Sequence, residues 1–397
     1  MTVPPAPARA ADTIAWTSEI RRDDHALNDL AVHLRDLYTR SPAATPFQSP
    51  GWFTAWWSQY GRPGALRLAL VWRGETLVAA APLALVRRGP MPVLMPLAGP
   101  ISDFTDVLVD EAHADEALSR LAATLQAEPG WSALDFSQAR PGSAAHRLAG
   151  CWPRRTWITS AAVCLELPGD PISAVLAQLP GRAAGKLRSK LRKIDKSGIT
   201  VSPVPAAEAD QAVKDLLALH TLQWQGRGIN PEHTRDRFSR HLAAACTDMI
   251  RHDEAVIFQY RDAGGRLLAS DLLLVGRTLA GAYLYGCLPD LRASVDVTLM
   301  LLRQDLGYAH DRGLPVFSLL RGDEAYKSKW RPTTVTNQRL ILARNGQALP
   351  YATAVRGRAL LSRLKHRLPD RQATAQPQPS AQESGQAGQA HVPERSA

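Results

Sequence analysis

Four cysteines, Cys151, Cys164, Cys246 and Cys287, are too few and too scattered in 397 residues to frame a fold. None stands in CxxC spacing or beside histidines, which argues against a zinc site and a disulfide scaffold. Long apolar runs are missing too. The longest, Leu77 to Val86, is interrupted by Pro82 and is half of the roughly 20 residues that a bilayer-spanning helix needs. The start, MTVPPAPARAADT, has no basic segment leading into an apolar one, so the expectation is a soluble, cytoplasmic protein without a secretion signal. The GxSxG elbow, the HExxH zinc motif and a GxGxxG turn after a strand are absent. Gly181 to Lys186 (GRAAGK) approaches a phosphate loop, but it is one residue short and Leu187 stands where Ser or Thr belongs.

What is present is a local excess of positive charge. Lys and Arg outnumber Asp and Glu 47 to 37, a net +10. Arg182 to Lys196 (RAAGKLRSKLRKIDK) holds seven basic residues and one acid, and Arg356 to Arg367 holds five and none. Two anion-seeking patches on a nearly neutral body suit a phosphate-bearing ligand or an acidic surface and do not suit a DNA duplex. The alternative is a pair of solvated helix faces. In residues 346–368, Leu360, Leu361, Leu364 and Leu368 recur at helical spacing with Arg356, Arg363, Lys365 and Arg367 on other faces. This basic amphipathic helix packs its leucines on the body in the simpler reading, or lies on an anionic membrane surface through residues 356–368. Residues 1–15 and the tail 369–397 are expected to be disordered.

The strongest organisational signal is an internal repeat. Strand patterns at Leu66–Trp72, Leu77–Val86 and Pro92–Leu97 precede a helical stretch, Ala112–Gln126, and a strand, Ser132–Phe136. The order recurs as strands Ala255–Tyr260, Leu267–Val275 and Gly281–Cys287, helix Asp296–His310 and strand Pro315–Leu320. Asp296 suits the N-cap of that helix, and Gly313 with Pro315 ends it. Trp-rich helical segments, Trp52–Trp57 and His220–Trp224, open the two copies. The pattern predicts mixed α/β sheets in two tandem domains, 16–167 and 168–345.

With the basic segment Gly185–Gly198, Tyr283–Ser294 (YLYGCLPDLRAS), the Gly313 helix stop and Arg321–Trp330 (RGDEAYKSKW), this duplication resembles the GNAT acyltransferase superfamily. It is similar to the cellulose-biosynthesis acetyltransferase (CelD/BcsL-like) branch, related to Fem-type peptidyltransferases. The resemblance covers roughly residues 45 to 345 and implies tandem duplicated GNAT-like domains. It also implies acyl-CoA (acetyl-CoA) as co-substrate, no metal, and an amine acceptor that is a small molecule, glycan or peptide. In the Fem-type relatives a tRNA-borne amino acid is the donor. The spaced glycine pair of the usual pyrophosphate signature is absent from Leu291–Thr298, and Ser318 stands where this branch often has Asp.

Amine acylation needs a proton acceptor, a place for the oxyanion and a proton for the leaving group. Asp271, after Ser270 in an otherwise apolar strand, is the most unexpected carboxylate. Buried, it becomes a general base with a raised pKa; at a bulge or edge it faces water. Tyr283 and Tyr285 alternate around Leu284 and are expected on one face, as leaving-group acid and acceptor contact or as packing. Glu324, Tyr326 and Lys327 follow a core strand and either line the site or lock the C-terminal segment, with Glu324 and Lys327 spaced to pair on one helical turn. For carrier phosphates the candidates are Lys186, Lys190, Arg192 and Lys193 on the basic helix, Arg292 and Ser294 near a helix start, and Arg321. Asp296 would set a carboxylate where a phosphate belongs. His220 and Trp224 share a helix face, and a hydrogen-bonded core role for His220 is the simpler one. Three functions remain open: an acyl-CoA-dependent N-acyltransferase, a transferase fed by aminoacyl-tRNA, and a catalytically silent binding protein.

Overall fold

The computed structural model describes residues 14–226 and 228–367, with the side chains of Ala325, Tyr326 and the residues after Arg358 outside the description. The expected disordered residues 369–397, most of 1–15, and the leucine side chains of the second basic patch therefore lie outside the described set. Contacts divide the chain into Met1–Ala352 and Thr353–Ala397. The sheet and the cavity belong to the first unit. Among the described residues no helix is long and apolar enough to cross a membrane.

Thirteen strands form one mixed sheet. They are β1 Trp16–Arg21, β2 Leu66–Arg73, β3 Thr76–Arg88, β4 Met91–Pro96, β5 Leu108–Val109, β6 Ala133–Ala139 and β7 Thr156–Pro168. The rest are β8 Thr200–Pro203, β9 Ala255–Arg261, β10 Leu267–Val275, β11 Leu279–Cys287, β12 Val316–Arg321 and β13 Thr333–Ala343. The helices that matter for the site are α1 Pro50–Tyr60, α2 Ala114–Ala127, α3 Gly181–Asp195, α4 Ala209–Trp224, α5 Asp236–Arg251, α6 Val297–Asp311 and α7 Ala325–Ser328.

The strand order, β1-β2-β3-β4-β6-β13-β7-β12-β11-β10-β9-β8, has the same plan from either end. Each half runs through antiparallel neighbours to one short parallel pair, β4 with β6 and β11 with β12. Helices α2 and α6 make those parallel crossovers, which antiparallel hairpins cannot. The last strand of each half crosses over: β13 lies against β6, and β7 lies against β12. The two pair with each other at the centre from Thr333–Glu166 to Leu342–Thr156. The strand patterns read as a repeat lie on either side of β7 and β13, which are not part of that reading and which cross the expected boundary at 167/168.

Both parallel pairs are short, and beyond them the halves differ. β4 and β6 pair only at Val93–Leu94 with Ala133–Leu134. The chain then fills the space: Thr105 donates its amide to the Gln138 carbonyl at 2.8 Å, and Gln138 donates back to Thr105 Oγ1 at 3.0 Å. β11 and β12 pair at Leu279–Gly281 with Val316–Ser318 and then diverge. Beyond Gly281 no strand ladder joins them, and the wedge between them opens into a cavity.

Candidate functional site

Local irregularities on both strands hold the wedge open. Across the β10–β11 ladder Leu272 faces Leu284 but Leu273 faces Ala282, leaving Tyr283 as the extra residue of a β-bulge. The bulge corrects the expectation that Tyr283 and Tyr285 share a face. Tyr283 packs with Phe47 and Trp52 on one side of the sheet, whereas Tyr285 packs on the other with the cluster around α6. Alternation predicts one face only where the pleat is unbroken. On β12, Leu320 adopts φ 56°, outside the ordinary strand region, and Gly322 follows at φ 110°. A side chain at Gly322 would meet the Glu324 carboxylate.

The cavity measures about 870 Å³ and reaches both faces of the sheet. Trp56 and Tyr60 of α1, His220 and Trp224 of α4, and Glu232, His233 and Arg237 line one side. Asp271, Tyr285, and Thr298, Leu301, Leu302 and Asp305 of α6 line the other. The α6 positions are spaced i, i+3, i+4 and i+7, so one helix face looks inward.

Most charges in this wall are paired with one another. Arg321, expected to bind a carrier, forms an ion pair with Asp103. Lys327 is buried; its ammonium meets Glu324 at 2.8 Å and donates to the carbonyls of Arg321 at 3.0 Å and Gly322 at 3.4 Å. The expected Glu324–Lys327 pair thus pins the divergent end of β12. Tyr60 donates to Glu232 at 2.8 Å, and Arg237 grips the same carboxylate with two bonds of 2.8 Å, holding it below the usual carboxylate range.

Two imidazoles form a chain. His220 Nδ1 lies 2.8 Å from the Tyr285 carbonyl, so it carries the proton. Its Nε2 is 3.3 Å from His233 Nδ1, and His233 Nε2 is 3.4 Å from Asn230 Nδ2, which donates. Burial lowers both pKa values, that of His233 to about 4, and the neighbouring His220 depresses it further. Both rings are therefore neutral near pH 7. His220 has the hydrogen-bonded role read for it, at the wall of a cavity and not inside a closed core.

Asp271 is buried, facing Tyr285 across the ladder and sharing the wall with Asp305. Burial raises both pKa values, Asp271 to about 7 and Asp305 well above the carboxylate range, with the Asp271 charge adding to the shift on Asp305. Two carboxylates cannot both stay ionised at close quarters, so the pair titrates as a unit.

Apart from Arg321, the basic candidates are not among the residues that line the cavity. Arg182, Lys186, Arg188, Arg192 and Lys193 on α3 and Lys196 just after it are exposed and have no ion-pair partner among the described residues. Only Ala184 and Ile194 of that helix are fully buried. Lys190 reaches Asp296, the N-cap of α6. Arg292 donates to the Tyr285 hydroxyl at 3.4 Å, and the Ser294 hydroxyl donates to the Leu291 carbonyl at 2.9 Å. The side chain of Tyr326 lies outside the described residues. Sequence reasoning did not single out Asp305, Glu232, His233 and Tyr60. Asp305 left one signal, a lone acid beside the Leu302–Leu306 apolar stripe; Tyr60 at the end of α1 and the neighbours Glu232 and His233 meet only in the fold and left none.

Residues 181–328 match the family model described as the acetyltransferase (GNAT) domain. No curated protein matches the chain in sequence. Among solved structures, the chain is similar to FemX, with a TM-score of 0.58 at 13% identity over 80% of this chain and 96% of that one. It is also similar to L-PGS from Bacillus licheniformis, with a TM-score of 0.52 at 12% identity over 85% and 97%. A conserved protein of unknown function from Bacteroides thetaiotaomicron gives 0.53 at 12% identity over 82% and 100%. The fold is thus GNAT-like, and identities this low speak for the fold alone.

Proposed function

We propose that this chain is an N-acyltransferase that moves an acyl group from acyl-CoA to an amine by direct transfer in the cavity between β11 and β12. The observation that carries the reading is the wedge itself, where the unpaired edge of β11 after Gly281 borders the cavity. Backbone amides on that edge suit the donor carbonyl and the oxyanion that forms from it. The amine nitrogen attacks the thioester carbon and loses its proton to Asp271. The tetrahedral intermediate then collapses, the C–S bond breaks, and the thiolate takes up a proton. Tyr285 is assigned to the leaving group's path, with Arg292 at its hydroxyl. The α3 cations are assigned to the carrier's phosphates.

A second donor, aminoacyl-tRNA, is favoured by one specific feature. The N-terminus of α6, where a compact pyrophosphate would sit, already holds the Asp296 carboxylate, while six cations without an ion-pair partner among the described residues run along α3 and its C-cap. A long basic face suits a longer polyanion.

Thermal melting with acetyl-CoA, longer acyl-CoAs and charged tRNA separates the donors, because a ligand that binds the native state raises the midpoint. The expected result is stabilisation by an acyl-CoA and thiol release in the presence of amines. Asp271→Asn should lower kcat while leaving donor binding intact. Failure of every carrier to shift the melt would leave a silent binding protein.

A further inference from the structure

Ion pairing around the cavity leaves one acidic place without a cation. Asp103 has Arg321, Glu232 has Arg237, and Glu324 has Lys327. Asp271 and Asp305, 3% and 4% exposed, touch no basic side chain among the described residues. Both oxygens of Asp271 and Oδ1 of Asp305 are buried, and no charged donor among the described residues reaches them. The Tyr260 hydroxyl and the Asp305 carboxyl are the neutral neighbours of Asp271, and both act on it through hydrogen bonding. Leu273, Leu301 and Leu302 complete the wall there, so water is a poor substitute for a partner.

We propose that Asp271 and Asp305 form a subsite for a primary alkylammonium group of a substrate. An ammonium has three N–H donors, no acceptor and a positive charge, which suits a buried acid pair that no cation of the described residues faces. A hydroxyl of the same size brings one donor and no charge. The pair faces the α6 side of the sheet, where α3 also packs, seven residues along α6 from Thr298. At the helical rise that is ~10 Å in from the residue nearest the helix start. The inference rests on the cavity being the transferase site. The ammonium has two possible sources there, the reacting acceptor amine or an amino group carried on the donor's acyl chain.

The test titrates the full chain with n-butylammonium chloride and with n-butanol, followed by calorimetry or by NMR of the ligand. The expected result is roughly tenfold or greater preference for the ammonium, the scale of a charge-assisted hydrogen bond. Asp271→Asn and Asp305→Asn should each erase the preference, with melting curves reporting that the variants fold. Equal binding of the alcohol by the wild-type chain overturns the subsite whatever the variants do, as does an Asp305→Asn protein that keeps the preference. Two further arms identify the source. Displacement of butylammonium by an amide-linked aminoacyl-adenosine, but not by its des-amino counterpart, marks a donor-borne amino group. Acylation of butylamine itself marks the acceptor. Butylammonium that binds yet is neither displaced nor acylated overturns the substrate role. The binding arms need no turnover, so their failure leaves the carrier-binding test of the transferase reading intact.

Discussion

The Asp296 carboxylate joins two helices: Oδ1 accepts the Leu299 amide at 3.1 Å, and Oδ2 accepts from Lys190 Nζ at 2.8 Å across 106 residues of sequence. The cap and the charge are separable. Burial pushes the Asp296 pKa up, but Lys190 and the capped amide outweigh this and hold it low, so the group is anionic at neutral pH. Asparagine caps a helix about as well as aspartate. Asp296→Asn should therefore leave the melting midpoint within about a degree or two, since capping is retained. It also removes the anion from the helix end and frees Lys190. Any phosphate-bearing donor that docks at that end should then bind several-fold tighter, by calorimetry. Unchanged affinity would place the phosphates elsewhere on α3.

Charge reversal on α3 tests that helix directly. Arg192 and Lys193 are exposed and have no ion-pair partner among the described residues, so Arg192→Glu with Lys193→Glu touches no packing. Carrier binding should weaken by roughly tenfold or more at low salt, and the gap to wild type should narrow as salt screens the field. Affinity that ignores both the substitutions and the salt would make α3 a solvated face only.

The elements legible in the sequence were those whose pattern is local. β10 runs over Leu267–Val275 as its apolar run predicts, and α6 starts and stops at the cap and glycine read for it. β7 and β13 were not legible, because Thr, Ser, Asn and Arg interleave with their apolar residues at the centre of the sheet. Their burial comes from pairing with each other, which no local period records. In the site, Asp271 announced itself as a charge among leucines. The Tyr283 bulge did not, since a one-residue insertion leaves the composition of a strand unchanged.

The acid pair makes a prediction about stability as well as chemistry. Both carboxyls have folded-state pKa values above the ordinary 3.8, so the folded chain holds protons that the unfolded chain releases. Stability therefore falls as pH rises from the ordinary carboxylate range through about 7, the value for Asp271. Asp271→Asn and Asp305→Asn cannot ionise. Each should melt above the wild type at pH 8, with the advantage shrinking towards pH 4.5. A constant difference across that range would mean that neither carboxyl changes its proton on folding.

Gly286 sets how closely α4 approaches β11. A Cβ there would lie 2.3 Å from the His220 nitrogen and 2.8 Å from the Leu216 carbonyl oxygen, both backbone atoms that cannot swing aside. Helix and strand must separate to admit it, and the 2.8 Å bond from His220 to the Tyr285 carbonyl is lost with the contact. Gly286→Ala should cost about 1–3 kcal/mol, the range for overpacking a core. It should also blunt the melting response to any ligand of the cavity, because His220 and Trp224 move with the helix. Gly185, on the exposed face of α3 with nothing within 4 Å of its Cβ position, is the control. There the same substitution should stabilise by about 0.5–1 kcal/mol, because alanine is the better helix former. If Gly286→Ala instead melts with or above the wild type and responds normally to ligands, the close approach of α4 does not hold the cavity in shape.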